Sequence, residues 1–73
     1  MLVIVDVEKF KNDPEFYNEK YCDYILKNWN RYLSFCSKRR CECKTEKSKD
    51  KYLKWINTAT DNIFKINQVK DNL

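Results

Sequence analysis

Four cysteines are the residues of this 73-residue chain whose side chains could bind a metal or react with an oxidant. They stand at positions Cys22, Cys36, Cys41 and Cys43. Zinc ribbons use paired C-x2-C knuckles, which this spacing lacks. Fourteen residues of a continuous helix would separate Cys22 from Cys36 by ~21 Å, so all four cannot share one metal. Three thiolates, Cys36, Cys41 and Cys43, with one outside ligand remain the weaker zinc alternative.

The cysteines could instead form disulfides or stay as free thiols. A disulfide needs Cα atoms within ~7 Å, so Cys22 and Cys36 cannot bond to each other, whereas Cys41 or Cys43 could reach back to Cys36. The pattern favours free thiols, with Cys22 and Cys36 as small core residues and Cys41 and Cys43 exposed on a loop. We therefore expect no metal and no cofactor. Free thiols predict a reducing intracellular compartment, by default the cytosol, while oxidised cysteines would allow the mitochondrial intermembrane space.

The composition argues against catalysis. The chain contains no histidine, which is the commonest general base and metal ligand. It also contains no glycine, so loops that cradle phosphates are excluded. Hydrolase triads and histidine metal sites cannot be built from these residues. We predict that the chain is not an enzyme.

Positive charge is concentrated in the middle of the chain. Residues 38–54 hold eight bases, and such a patch could meet nucleic-acid phosphates or an acidic protein surface. Tyr52 and Trp55 could stack on bases if exposed, but their helical spacing predicts burial. No recognised nucleic-acid motif is present, and a solvated loop is the favoured interpretation. The candidate basic patch is Lys38, Arg39, Arg40, Lys44, Lys47, Lys49 and Lys51.

The lysine excess has a second explanation in codon usage. Lys, Asn, Ile, Tyr and Phe fill 34 of the 73 positions, while Gly, Ala, Pro and Arg fill five. The first group has codons with A or U at the first two positions. The pattern indicates an AT-rich genome, such as that of a virus or phage, a low-GC bacterium, an apicomplexan or a ciliate. The net charge of +4 therefore argues only weakly for a polyanionic partner.

Two long helices must position these residues. A first helix is predicted over residues 13–38, because Asp13 can cap it, Pro14 suits its first position, and apolar residues recur at helical spacing, Trp29 among them. A basic, cysteine-containing loop is predicted over residues 39–47. A second helix is predicted over residues 48–70, with Thr45 or Ser48 as its cap. Two such helices joined by a short loop should pack antiparallel.

The N-terminal residues are rich in β-branched side chains and predict a strand or an extended arm over residues 1–12. In one interpretation the segment pairs with a second copy or with a partner's sheet; in the other it covers the apolar faces of its own helices. Val3, Val5 and Val7 would share one face, which suits packing on the helices. The candidate interaction residues are Leu2, Val3, Ile4, Val5 and Val7.

Together these patterns predict a single small domain over residues 1–73, mainly α, formed by an antiparallel two-helix hairpin with a short N-terminal strand or extended arm. No apolar run is long enough to span a membrane. The expected function is that of a non-catalytic protein-interaction module, acting as a homo-oligomer or as an accessory subunit of a larger assembly. The alternative is nucleic-acid binding by the basic turn, and the second alternative is a small protein stabilised by disulfides or zinc.

Overall fold

The fold is an α-helical hairpin with an N-terminal arm. A computed structural model describes residues 2–72, with helices α1 at Val7–Asn12, α2 at Glu19–Glu42 and α3 at Glu46–Asp71. The two long helices pack against each other in a rod 45 Å long and 18 Å wide. Residues 2–6 form an extended arm, and no strand occurs within the described range. The predicted fold class is confirmed, with an arm instead of a strand.

The short helix α1 was not predicted. It begins because the Asp6 side chain accepts a hydrogen bond from the Glu8 N–H at 3.1 Å, which satisfies an orphan donor of the first turn. Its buried residue is Phe10, whose ring stacks on Tyr17 with centroids 4.2 Å apart. This ring pair joins α1 to the entry of α2.

The first long helix starts later than residue 13, so the predicted start is wrong. Asp13 and Pro14 belong to a separate turn, in which the Tyr17 N–H donates to the Asp13 carbonyl at 2.9 Å. Asn18 is the actual cap, and its side chain accepts from the Tyr21 N–H at 3.0 Å. The Phe10–Tyr17 stack accounts for the break, because Tyr17 turns towards α1 and leaves the path of the helix.

The predicted end of that helix at Lys38 and the predicted loop over residues 39–47 are also wrong. Helix α2 continues to Glu42, and α3 begins at Glu46, before the predicted residue 48. Arg39 lies on the last turn of α2 and is exposed, with its guanidinium carbon 5.4 Å from the Phe35 ring centroid and its Nη1 3.8 Å from Glu42 Oε2. Thr45, one of the two predicted caps, accepts from the Ser48 N–H.

The core lies at the open end of the hairpin, away from the turn. As predicted, Trp29 is in the buried face of its helix, with 2% of its surface exposed. The other members come from the arm, α1 and both long helices, and the cluster consists of Val5, Phe10, Cys22, Ile25, Trp29, Ala59, Ile66 and Val69.

Candidate interaction surface

Two side chains of the long helices hold the arm in place. The Asn62 side-chain oxygen accepts a hydrogen bond from the Val5 N–H at 2.8 Å, and the Trp29 indole N–H donates to the Val3 carbonyl at 2.8 Å. The Asn62 amide nitrogen donates to the Thr58 carbonyl at 2.8 Å. The contacts satisfy a buried amide side chain and two backbone groups of a segment that has no sheet partner.

Asn62, which holds the arm, was not predicted from the sequence. It is buried to 2% exposure in an otherwise apolar face, three residues after Ala59 and four before Ile66. A polar side chain at that spacing marks a site that must find a hydrogen-bond partner inside the protein. The helical register places Asn62 in the apolar face, but it does not identify the distant Val5 N–H as the hydrogen-bond partner.

One face of the arm is buried and the other is exposed, as the alternation of its side chains predicts. Val5 is buried and Val3 and Val7 are half-buried, whereas Leu2 and Ile4 are exposed. The odd-numbered valines therefore pack on the chain's own helices, as the covering-arm interpretation expects. Pairing of this segment with another chain remains a prediction, now restricted to the edge and side chains that the helices leave uncovered.

Within residues 2–72, no segment covers the other side of the hairpin, which we call the arm-free face. Leu26 and Leu33 on α2, and Ile56 and Ile63 on α3, are each seven residues apart, so each pair forms one stripe along its helix. All four are half-buried. Two further apolar side chains of α3, Leu53 and Phe64, are exposed beside this face, about 60° and 100° around the helix from Ile56 and Ile63.

The position of this face follows from the contacts on either flank of α3. Asn62 points to the arm, and Ile63 lies one residue further around the helix, about 100° away. Lys70 lies seven residues beyond Ile63 and donates a hydrogen bond to Asp23 of α2. That bond bridges the two helices on the side opposite the arm and raises the pKa of Lys70.

The two ends of the arm-free face differ in charge. Glu19 lies seven residues before Leu26 on the same stripe of α2, and Arg40 lies seven residues after Leu33. On α3, Lys49 lies seven residues before Ile56, at the turn end. The open end thus carries charges of both signs, Glu19 beside the Lys70–Asp23 pair, while the turn end is basic.

The cysteines are four free thiols in this structure. Cys22 and Cys36 are fully buried, as predicted, while Cys41 is exposed on the last turn of α2 and Cys43 is half-buried at its cap. Burial raises the pKa of the Cys22 thiol, and the neighbouring Asp23 carboxylate raises it further. Cys22 is therefore a core residue with little thiolate character.

The weak zinc candidates Cys36, Cys41 and Cys43 do not form a site. Across residues 2–72, no three His, Cys, Asp or Glu side chains converge as metal ligands. Cys36 instead interacts with Tyr32, whose pKa is raised by burial and by the hydrogen bond to that thiol.

The basic patch surrounds the turn. Arg39, Arg40 and Lys44 are exposed, as predicted. The predicted burial of Trp55 is wrong, because 36% of its surface is exposed and the Lys51 ammonium lies 5.1 Å from its ring centroid. Lys38, Lys47 and Lys51 are also exposed, and Lys49 is half-buried beside Glu46.

Comparisons with known proteins do not identify a function for the chain. No protein-family model, curated protein or solved structure matches the chain. Within residues 2–72, no helix has the length and apolar character needed to cross a membrane.

Proposed function

We propose that this chain is a non-catalytic protein-interaction module that binds its partner, a second copy or a subunit of a larger assembly, through the arm-free face. The observation that carries the proposal is the unequal cover of the hairpin. One side is closed by the arm and α1, while on the other side no segment within residues 2–72 covers the half-buried apolar stripes of α2 and α3.

Exposed apolar residues scattered singly are normal on protein surfaces, but contiguous patches mark contacts with other molecules. Leu26, Leu33, Ile56 and Ile63 are half-buried on the side of the hairpin that the arm leaves open, and Phe64 beside them is 60% exposed. Burying such side chains against a partner would stabilise the complex by roughly 25 cal/mol for each Å² of apolar surface removed from water.

A pair of matched variants tests the proposal. The face variant, Leu53→Ser with Phe64→Ser, removes two exposed apolar side chains of α3 that flank the arm-free face. The control variant, Phe16→Ser with Tyr24→Ser, removes two side chains of comparable exposure elsewhere. The tagged chain and both variants are recovered from their native cells, and the proteins bound to each are quantified by mass spectrometry.

The proposal expects at least one protein, or untagged copies of the chain itself, to be retained by the wild type and the control and lost from the face variant. Circular dichroism of the purified variants must show unchanged helix content. Retention of every bound protein by the face variant would contradict the proposal.

A second candidate function is nucleic-acid binding by the turn end. It is favoured by two exposed rings that flank residues 38–54, the segment with eight bases and three acids. Phe35 lies near Arg39, and Trp55 lies near Lys51. Exposed aromatic rings among basic residues are the combination that binds single strands. Anisotropy of a labelled oligonucleotide at increasing salt tests it: a steep loss of affinity that Trp55→Ala weakens would support it, and salt-independent or absent binding would exclude it.

A further inference from the structure

We infer that the arm side of the turn end binds a single-stranded nucleic acid, whose bases stack on Phe35 and Trp55 and whose phosphates bind the cations beside these rings. We call this surface the turn-end site. The inference rests on the second candidate function, because it names the residues and the substrate class of that activity. It does not depend on the arm-free face.

The helical register places both rings on the side of the hairpin that the arm occupies. On α3, Trp55 lies seven residues before Asn62, so it lies on the stripe that bonds the arm. On α2, Tyr32 packs edge-on against Trp29, the second anchor of the arm, with ring centroids 5.7 Å apart. Phe35 lies three residues after Tyr32, on the outer edge of the same side.

The arm runs towards the turn but stops before the two rings. Val5 bonds Asn62, 16 residues from the start of α3, whereas Val3 bonds Trp29, 13 residues from the end of α2. At ~1.5 Å per residue, Val3 is therefore nearer to the turn by ~4.5 Å. The described arm ends one residue beyond Val3, at Leu2, so no segment within residues 2–72 covers the two rings.

The two rings lie at nearly the same distance from the turn. Phe35 is seven residues before the end of α2, and Trp55 is nine residues after the start of α3. These separations correspond to ~10 Å and ~14 Å along the helices. Half of the Phe35 surface and 36% of the Trp55 surface are exposed. One strand that crosses from α2 to α3 can therefore contact both rings.

On α2, the exposed ring belongs to a shallow pocket that also holds two cations and one acid. The lining residues are Phe35, Lys38, Arg39 and Glu42. The Arg39 guanidinium carbon lies 5.4 Å from the Phe35 ring centroid. A base stacked on this ring would have its phosphate within reach of Lys38 and Arg39.

On α3, a second shallow pocket holds three lysines and one acid beside the other ring. The lining residues are Lys47, Ser48, Asp50, Lys51 and Lys54. The Lys51 ammonium lies 5.1 Å from the Trp55 ring centroid, which joins this pocket to the ring. Both helices thus present an aromatic ring with an excess of positive charge on the same side of the hairpin.

Charge and ring exposure together select the occupant. Residues 38–54 hold eight bases and three acids, an excess that complements a chain of phosphates. A single strand offers the faces of its bases to exposed rings, whereas a duplex keeps those faces stacked inside. An acidic protein surface would supply only the negative charge.

The test is fluorescence anisotropy of a labelled oligothymidine of about 12 nucleotides, titrated with the purified chain in reducing buffer at low and increasing salt. The wild type should bind, with an affinity that falls as salt rises. Trp55→Ala should raise the dissociation constant about fivefold or more, and Trp55→Phe, which keeps a ring, should raise it less. Circular dichroism must show unchanged helix content.

Two double variants with the same loss of charge then locate the site. Lys47→Ala with Lys51→Ala removes two lysines of the α3 pocket and should raise the dissociation constant about tenfold or more at low salt. Lys44→Ala with Lys49→Ala removes two lysines that line neither pocket, and it should raise the constant less than about threefold. Equal losses in the two variants would overturn the inference, because they would show attraction by net charge alone.

Three further outcomes would overturn it. The labelled duplex of the same length may bind as tightly as the single strand, which contradicts the substrate class. Polyglutamate of equal charge may displace the oligonucleotide equally well from wild type and Trp55→Ala, which indicates an acidic protein partner. Absence of binding at low salt removes the second candidate function as well.

None of these results bears on the proposed function, which uses other residues. The face variant Leu53→Ser with Phe64→Ser should leave the affinity for the oligonucleotide unchanged, since both side chains lie around α3 from the turn-end site. A loss of affinity in the face variant would contradict the placement of the site on the arm side.

Discussion

The two sides of the hairpin differ in what covers them. On one side the chain covers itself: the arm lies between the helices and α1 packs against α3, with Val5 and Phe10 in the core. On the other side the apolar stripes of Leu26 and Ile63 stay half-buried, and the Lys70–Asp23 contact bridges the helices.

The comparison shows how a short chain completes a core. Two helices leave part of each other's apolar arcs open, and a domain below about 70–80 residues needs an additional source of stability. Here the N-terminal segment provides this additional stability on one side. Two hydrogen bonds, from Val5 to Asn62 and from Trp29 to Val3, hold the extended segment in one position on the helices. The opposite side has no equivalent segment within residues 2–72.

The largest expected effect comes from breaking the covered side at Trp29. Trp29→Ala should lower the free energy of unfolding by about 3–5 kcal/mol, because it removes a buried ring and the hydrogen bond to the arm. Urea unfolding measures the loss. Trp29→Phe, which keeps most of the ring, should cost less, and an unchanged midpoint in Trp29→Ala would mean that the ring is exposed.

A smaller loss is expected when the arm loses its other anchor. Asn62→Ala leaves the Val5 N–H without its partner and should destabilise the fold by about 1–3 kcal/mol. Asn57→Ala, at an exposed position of the same helix, serves as the control. Equal midpoints for the two variants would show that the arm does not depend on Asn62.

These two residues mark the limit of what the sequence could predict. Trp29 was predicted from helical periodicity alone, because burial of a large ring depends on local spacing. Asn62 and the Trp29 indole each bond a backbone group of the arm, more than 20 residues away, and no local pattern specifies that partner. The alternation of the N-terminal valines did predict which side of the arm is buried.

The wrong helix bounds also result from contacts that local sequence patterns do not specify. Asp13 and Pro14 carry a genuine start signal, but the stack of Tyr17 on Phe10 breaks the helix after them. Helix α2 continues past Lys38 because the Arg39 side chain reaches water and Glu42. The sequence predicts contact with a partner even less well than it predicts helix bounds. The helical register locates an apolar stripe, but it does not identify the molecule that binds there.

Alkaline pH should weaken the fold through groups on both sides. The pKa values of Cys22, Tyr32 and Lys70 are raised in the folded state, so the unfolded chain loses these protons first. Stability is then fully present at neutral pH and falls as pH rises above the ordinary thiol pKa of about 8.5. Melting of wild type and Cys22→Ala from pH 7 upward checks this; an equally steep early decline in Cys22→Ala would count against the role of that thiol.

The smallest expected effect is at the basic turn. Replacing Arg39, Arg40 and Lys44 by Ser should change the free energy of unfolding by only about 0.5 kcal/mol or less, since all three are exposed and their ion pairs are screened. Urea unfolding again measures it. A larger loss would show that the turn contributes to the core, and lost oligonucleotide binding would support the second candidate function.

The most direct test of the uncovered side is amide hydrogen exchange, measured on the purified chain and on the assembly recovered from its native cells. The account predicts slower exchange in the assembly along the arm-free face, around Leu26, Leu33, Ile56 and Ile63, while the arm at residues 2–6 stays constant. Slower exchange confined to the arm would contradict it, because that result would show that the N-terminal segment pairs with another chain and that the arm-free face is not the contact.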